Sequence, residues 1–270
     1  MYDNVHTDEV LTFISFVPEY IKGTIMRKVW SNAGRVLLIL LILGVGYLLS
    51  YFKPMPATEP ALSAMKSRNA VTVTTTSDVI AFQPAQKATL GYIFYPGALV
   101  DPRAYAYYMH SLAEHGIATY IVKMPFSFAF FGNDRAANVI AAHPDIHNWV
   151  LGGHSLGGVS ASIYTATHPN QIKGLVLYAS YPAADISKQI ASIPVLSISG
   201  SNDGLATPAS IRASKPLLPA DTRYVVIQGG IHSYFGEYGH QPGDGEAGIS
   251  RENARAQILS QTLQFLQSIH

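Results

Sequence analysis

Apolar positions along the chain follow two separate patterns. From Val36 to Phe52 the run "VLLILLILGVGYLLSYF" is apolar all round and carries no charged residue. From Ala70 onward the apolar runs are short. "AVTVTTTSDVIAF" alternates β-branched and polar positions, as a half-exposed strand or hairpin does. Leu90–Tyr95, Ile117–Val122, Trp149–Leu151, Gly174–Ala179, Pro194–Ile198 and Tyr224–Ile227 are dense in Val, Ile, Leu and Tyr with little alternation. That pattern belongs to strands buried on both faces of a parallel sheet. Between them Arg103–His115, Ala136–Ala142, Leu156–Thr167, Ala209–Leu217 and Ser250–Ile269 read as helices. Strand alternating with helix predicts an α/β fold, with a mostly parallel, doubly wound sheet, helices on both faces and right-handed crossovers.

At ~1.5 Å per residue the first run suffices for one short transmembrane helix over residues 36–52. No A-x-A site follows it, so an uncleaved signal anchor is expected rather than a signal peptide. Lys22, Arg27, Lys28 and Arg35 precede the run, and only Lys53 follows closely. This asymmetry predicts a single-pass membrane protein with a cytoplasmic N-terminal segment, residues 1–35, and the remainder outside the cytoplasm. Met26-Arg27-Lys28 itself resembles the start of a signal-anchor protein, which leaves residues 1–25 as either a short tail or an extension of the natural chain. Residues 53–69, Pro/Ala/Ser-rich at "KPMPATEPALSAMKSR", read as a linker. The globular domain is then 70–270.

Composition narrows the chemistry. Apolar residues make up 48% and charged residues 13%, which fits a real core plus one apolar segment. The formal net charge of +1 gives no footprint for nucleic acid. The absence of cysteine excludes a disulfide framework, thiolate metal sites and a Cys nucleophile. No H-E-x-x-H or P-loop pattern occurs, and His110, His115, His143 and His147 fall in predicted helices or at the wrong end of the sheet. No metal or organic cofactor is expected.

The stretch "VLGGHSLGG", Val150 to Gly158, contains G-x-S-x-G as Gly153-His154-Ser155-Leu156-Gly157. The pattern gains meaning from its place between a predicted strand and a predicted helix. There a strained turn needs small flanking residues and lifts the Ser hydroxyl off the strand end. The Leu156 N–H, at the helix start, is placed for a developing oxyanion. A Ser hydroxyl needs a base oriented by an acid, in the chain order Ser, acid, His. The next-to-last strand runs into "SGSNDGLATP" with Asp203, and the last into "QGGIHSYFG" with His232. Asp185 falls too early and Asp221 precedes the last strand. The early strand ends in "YPGALVDP", where a backbone N–H of Gly97 or Ala98 is a second oxyanion donor. His154 reads as packing. Phe126, Phe128, Phe130 and Phe131 read as the lining of an apolar acyl pocket or as ordinary core.

Together with "IVKMPFSFAFF" and "GGIHSYFGEYGHQPGDGEAGISRENARAQ", these segments resemble the alpha/beta hydrolases, specifically the dienelactone-hydrolase-like group also called alpha/beta hydrolase family 5. The resemblance spans about Leu90 to Gln261. It implies a Ser155–His232–Asp203 triad, an oxyanion hole from Leu156 and the Gly97-Ala98 turn, and hydrolysis of carboxylic esters. Ser replaces the Cys of dienelactone hydrolase itself, and no sizeable cap fits between Ser180 and Ile193. The expected function is a membrane-anchored serine hydrolase acting on a small acyl ester. The alternatives are an acyltransferase using the same triad, or a non-catalytic, membrane-tethered binding module.

Overall fold

The computed structural model describes residues 34–44, 46–47, 53–68 and 70–269. The chain divides into two units, Met1–Lys53 and Pro54–His270. In the first, residues 34–44 and 46–47 are helical, and the side chains of 36–43 and Tyr47 are exposed. Among the described residues no helix is long and apolar enough to cross a membrane. The expected span extends over residues 45 and 48–52, which lie outside the described residues.

The second unit is built on an eight-stranded sheet. Its strands are β1 (Val71–Thr75), β2 (Val79–Pro84), β3 (Leu90–Tyr95), β4 (Ala118–Val122), β5 (Asn148–His154), β6 (Gly174–Tyr178), β7 (Val195–Gly200) and β8 (Arg223–Ile227). They lie in the order β1-β2-β4-β3-β5-β6-β7-β8. The β1–β2 hairpin is antiparallel, β2 runs antiparallel to β4, and the other pairs are parallel.

The strands have period 2, yet both faces are apolar. Tyr92, Phe94, Val150, Val176 and Tyr178 face one core, with α2 (Ala106–Ala113) and α6 (Arg251–Gln267) packed on it. Ile93, Tyr95, Leu151, Leu175 and Leu177 face the other, covered by α3 (Arg135–Ala142) and α4 (Leu156–Thr167). Burial on both sides is why the strands read as unbroken apolar runs.

Two boundaries differ from the sequence expectation. β5 continues past Leu151 to His154, because Gly152 and Gly153 still pair with Phe94 and Tyr95 of β3 and with Val176 and Leu177 of β6. Backbone pairing carries on where there is no side chain to signal it. The segment expected as one helix at 103–115 is split. Asp101 accepts the Arg103 N–H and caps a 3₁₀ turn, Pro102–Tyr105, before α2 begins.

The segment expected as a linker is largely part of the body. The Met55 N–H donates to Leu99 O at 2.7 Å, and the Asp101 N–H returns to Met55 O at 2.9 Å. Ala57 bridges to Tyr238, and the Thr58 N–H donates to Glu237 O at 2.8 Å. Helix α1 (Glu59–Ala64) then buries Ala61 and Ala64. Alanine-rich composition reads as linker, but here alanine allows close helix packing, and Pro60 occupies the first turn, where a proline is tolerated.

The N-terminal strap meets a buried ion pair of the C-terminal half through Thr58. Arg255 Nη1 donates to Glu237 Oε1 at 3.0 Å, the Glu237 side chain is almost wholly buried, and Thr58 Oγ1 lies 3.5 Å from Oε2. Removing one partner strands the other in low dielectric. Glu237→Ala is therefore expected to lower the unfolding free energy by about 3 kcal/mol or more, seen as a lower melting temperature. An unchanged melt would show that the pair does not hold the strap.

Candidate active site

The loops that follow β3, β5, β7 and β8 share the carboxyl edge of the sheet, where open α/β sheets place their sites. Ser155 lies between the end of β5 and the first residue of α4, at φ 52° and ψ −123°. Its N–H donates to Tyr178 O at 3.0 Å, and its carbonyl accepts from Ser180 Oγ at 2.7 Å. The flanking glycines are required by close approach. A Cβ on Gly157 would lie 2.1 Å from Tyr95 O, and one on Gly153 would lie 2.4 Å from the backbone of Gly157.

Asp203 and His232 meet. Asp203 Oδ2 lies 2.9 Å from His232 Nδ1, with both side chains essentially inaccessible. Asp203 Oδ1 accepts the N–H groups of Leu205 and Ala206, each at 2.8 Å. The N-D-G sequence thus forms a turn that fixes the carboxylate instead of leaving it in solvent. An ionised carboxylate accepts only, so it holds the His232 proton on Nδ1 and leaves Nε2 with a free lone pair. His232 Nε2 is buried and unpartnered. Ser155 and His232 border one cavity of about 250 Å³, together with Leu156, Val159, Ala179, Ser180, Tyr181, Leu205 and Ala206. Ser155 Oγ and His232 Nε2 are not hydrogen-bonded to each other here. Such bonds are often open in unliganded sites and tighten around substrate. A roomier cavity of about 390 Å³, between residues 83–88 and 142–146, lies at the opposite edge of the sheet and holds no nucleophile beside a base.

The expected oxyanion donors are placed unequally. Leu156 opens α4, where the backbone N–H has no intrahelical acceptor. The Gly97 N–H donates to Tyr105 Oη at 2.9 Å, whereas the Ala98 N–H, the next along the turn, has no acceptor among the described residues. The rival acids stay away from the site: Asp185 bonds Ser187, and Asp221 is exposed. Phe126, Phe128, Phe130 and Phe131 do not line the cavity. Phe126, Phe130 and Phe131 are exposed, so they are not core either. Phe235 and Tyr238 are buried beneath His154, while Tyr234 lies under the Arg251 guanidinium, 4.4 Å from its ring.

Two supports escaped the sequence reading. Tyr105 Oη, while accepting from Gly97, lies 2.9 Å from His154 Nδ1. Burial pushes the Tyr105 hydroxyl well above its ordinary range, so it stays protonated and is hydrogen-bonded to His154 Nδ1. His154 is fully buried, 4.6 Å from His232 between ring centroids. Burial first, and then the charge of a protonated His232, hold His154 well below the usual histidine range. It is a neutral spacer beneath the site, as its reading as packing implied. Nothing in the spacing of Gly97, Tyr105 and His154 signals that they meet.

The second support is Asp244. Its Oδ1 accepts the His232 N–H and its Oδ2 the Ser233 N–H, each at 2.8 Å. Burial alone would raise its carboxyl, but the N–H groups of Ser233, His232 and Gly245 outweigh that and hold it below the ordinary range. The signal was the Gly-rich "QPGDGEAG", whose only charged side chains are Asp244 and Glu246.

Strand, strained Ser turn and helix, followed by acid and His loops on later strands, define an alpha/beta hydrolase. The alpha/beta hydrolase family model matches residues 91–256, more than half of the chain, and the chain belongs to that family. No curated protein matches it. Among solved structures, a predicted CIB-like hydrolase from Thermoplasma acidophilum aligns with TM-score 0.57 at 12% identity, covering 74% of this chain and all of the other. Est1E from Butyrivibrio proteoclasticus aligns at 0.53 and 16%, covering 74% of this chain and 100% of its own. A dienelactone hydrolase-like promiscuous phosphotriesterase from metagenomic libraries aligns at 0.57 and 16%, covering 74% and 99%. At such identities the likeness is one of fold.

The depressed carboxyl of Asp244 gives a signed prediction. Its contribution is fully present above the ordinary carboxylate value of ~4 and is lost as pH falls through the lower folded value. Asp244→Asn retains one acceptor oxygen in place of two. It is expected to cost about 1–3 kcal/mol of stability at neutral pH and to flatten the acid side of a melting-temperature series. Identical acid profiles for the two proteins would contradict the clamp.

Proposed function

We propose that the chain is a membrane-anchored serine hydrolase that cleaves carboxylic esters through an acyl-enzyme. The observation that carries this reading is His232, pinned at Nδ1 by Asp203 with Nε2 unpartnered, bordering the same cavity as the strained Ser155. His232 Nε2 takes the proton of Ser155 as the hydroxyl attacks the acyl carbonyl, then returns it to the leaving alcohol. Asp203 keeps the imidazole in this tautomer and stabilises its charged form. The tetrahedral oxyanion sits between the Leu156 and Ala98 N–H groups. Gly97, held by Tyr105, sets the turn that aims Ala98. Water, deprotonated by His232, then releases the acid. The cavity of about 250 Å³ has mostly apolar walls and favours a small acyl group.

Anchoring is supported by the apolar run at 36–52, whose described leucines are exposed. A helix that is apolar all round belongs in a core or a bilayer. With the charge asymmetry across the run, the hydrolase body is assigned to the extracytoplasmic side.

Stopped-flow hydrolysis of a p-nitrophenyl acyl ester series is expected to show a burst for the full chain in detergent. Ser155→Ala should lose the burst, with kcat down by about 10⁴-fold or more. Asp203→Asn should lower kcat by roughly 10³–10⁴-fold, with little change in KM. Turnover that survives Ser155→Ala would remove Ser155 from the chemistry.

A further inference from the structure

The segment 124–133, "MPFSFAFFGN", carries no charge and presents an aromatic patch to solvent. Phe126 is 82% exposed, Phe130 50% and Phe131 55%. Their rings contact one another, with Phe130 and Phe131 centroids 4.1 Å apart and Phe126 and Phe131 5.7 Å apart. Phe126 and Ser127 both hold positive φ, 52° and 61°. That is uncommon for a bulky residue, and here it projects a phenyl ring outward. A contiguous exposed aromatic cluster on a soluble surface marks a binding face.

What the patch meets follows from where the chain enters the body. The Leu99 N–H donates to Ser127 O at 2.9 Å, and Leu99 O accepts the Met55 N–H at 2.7 Å. The patch, the Gly97-Ala98 turn and the entering chain thus lie side by side in one hydrogen-bonded row. Lys53 is two residues before Met55, at most ~7 Å of chain, and it ends the apolar run at 36–52. Along the chain, a span ending at Phe52 stops three residues before Met55, the residue that joins this row.

We infer that Phe126, Phe130 and Phe131 seat in the interface of the bilayer that anchors the chain. The inference rests on the anchored-hydrolase reading and extends it. The mouth of the Ser155 cavity then lies at headgroup level, and the substrate is an acyl ester carried in the lipid phase. Amphipathic and aromatic surfaces bind at this depth without spanning.

The test uses the full chain reconstituted in phosphatidylcholine–phosphatidylglycerol vesicles. Phe126→Trp adds a reporter to the native Trp30 and Trp149, and its emission is read as the difference from the unsubstituted protein. The expected result is quenching by lipids brominated near the headgroup and protection from aqueous acrylamide. The triple variant Phe126→Ser/Phe130→Ser/Phe131→Ser should hydrolyse a vesicle-borne ester roughly tenfold more slowly, with a soluble short-chain ester unaffected. A vesicle-bound chain whose reporter is quenched by acrylamide and not by brominated lipid overturns the inference and leaves the anchor standing. A reporter shielded from both quenchers, with self-association of the chain, overturns it in favour of a second copy. A chain that does not float with vesicles overturns the anchor and the inference together.

Discussion

Holding a non-glycine residue far from its preferred backbone regions costs about 1–3 kcal/mol, and Ser155 is held at φ 52° and ψ −123°. The surroundings leave the chain no other route. Its N–H and carbonyl are both engaged on the β6 side, by Tyr178 and Ser180. The next turn is pressed so close to the end of β3 that only glycine fits at 157. This constraint lifts the hydroxyl to the cavity wall and brings the start of α4 beside the Gly97-Ala98 turn. The rest of the site is arranged around a hydroxyl placed in this way.

His232 is held from two sides. Asp203 fixes the His232 ring, and Asp244 fixes the backbone that carries it. Beneath them, Tyr105 links the Gly97 N–H to the buried, neutral His154 that immediately precedes Ser155. The turn after β3 and the elbow after β5 are thereby braced through side chains as well as through the sheet. That brace also reaches the strap at 54–65, since Leu99 of the same turn receives Met55.

Much of this was legible in the sequence for a physical reason. A sheet covered on both faces writes itself as apolar runs, so six strands, the strand or hairpin before them and their alternation with helices could be read. The elbow, Asp203 and His232 could be placed because each follows a strand end, and the structure joins Asp203 to His232 and sets Ser155 at the same cavity. What stayed hidden depends on contacts between residues distant in the chain. Glu237 with Arg255, Tyr105 with His154 and Asp244 with the His232 backbone leave no periodic trace. The strap at 54–65 was misread because alanine and proline signal looseness in composition while packing closely in three dimensions. The phenylalanines at 126–131 were read as inward-facing because hydrophobicity reports what avoids water, not which apolar phase receives it.

The central claim is that Ser155 is a hydroxyl activated by His232. It is tested most directly by treating the full chain with a fluorophosphonate and locating the adduct by peptide mass spectrometry. The account predicts one covalent adduct per chain, on Ser155, formed far more slowly when His232 is replaced by Ala. An unlabelled Ser155, or labelling at the same rate without His232, would contradict it.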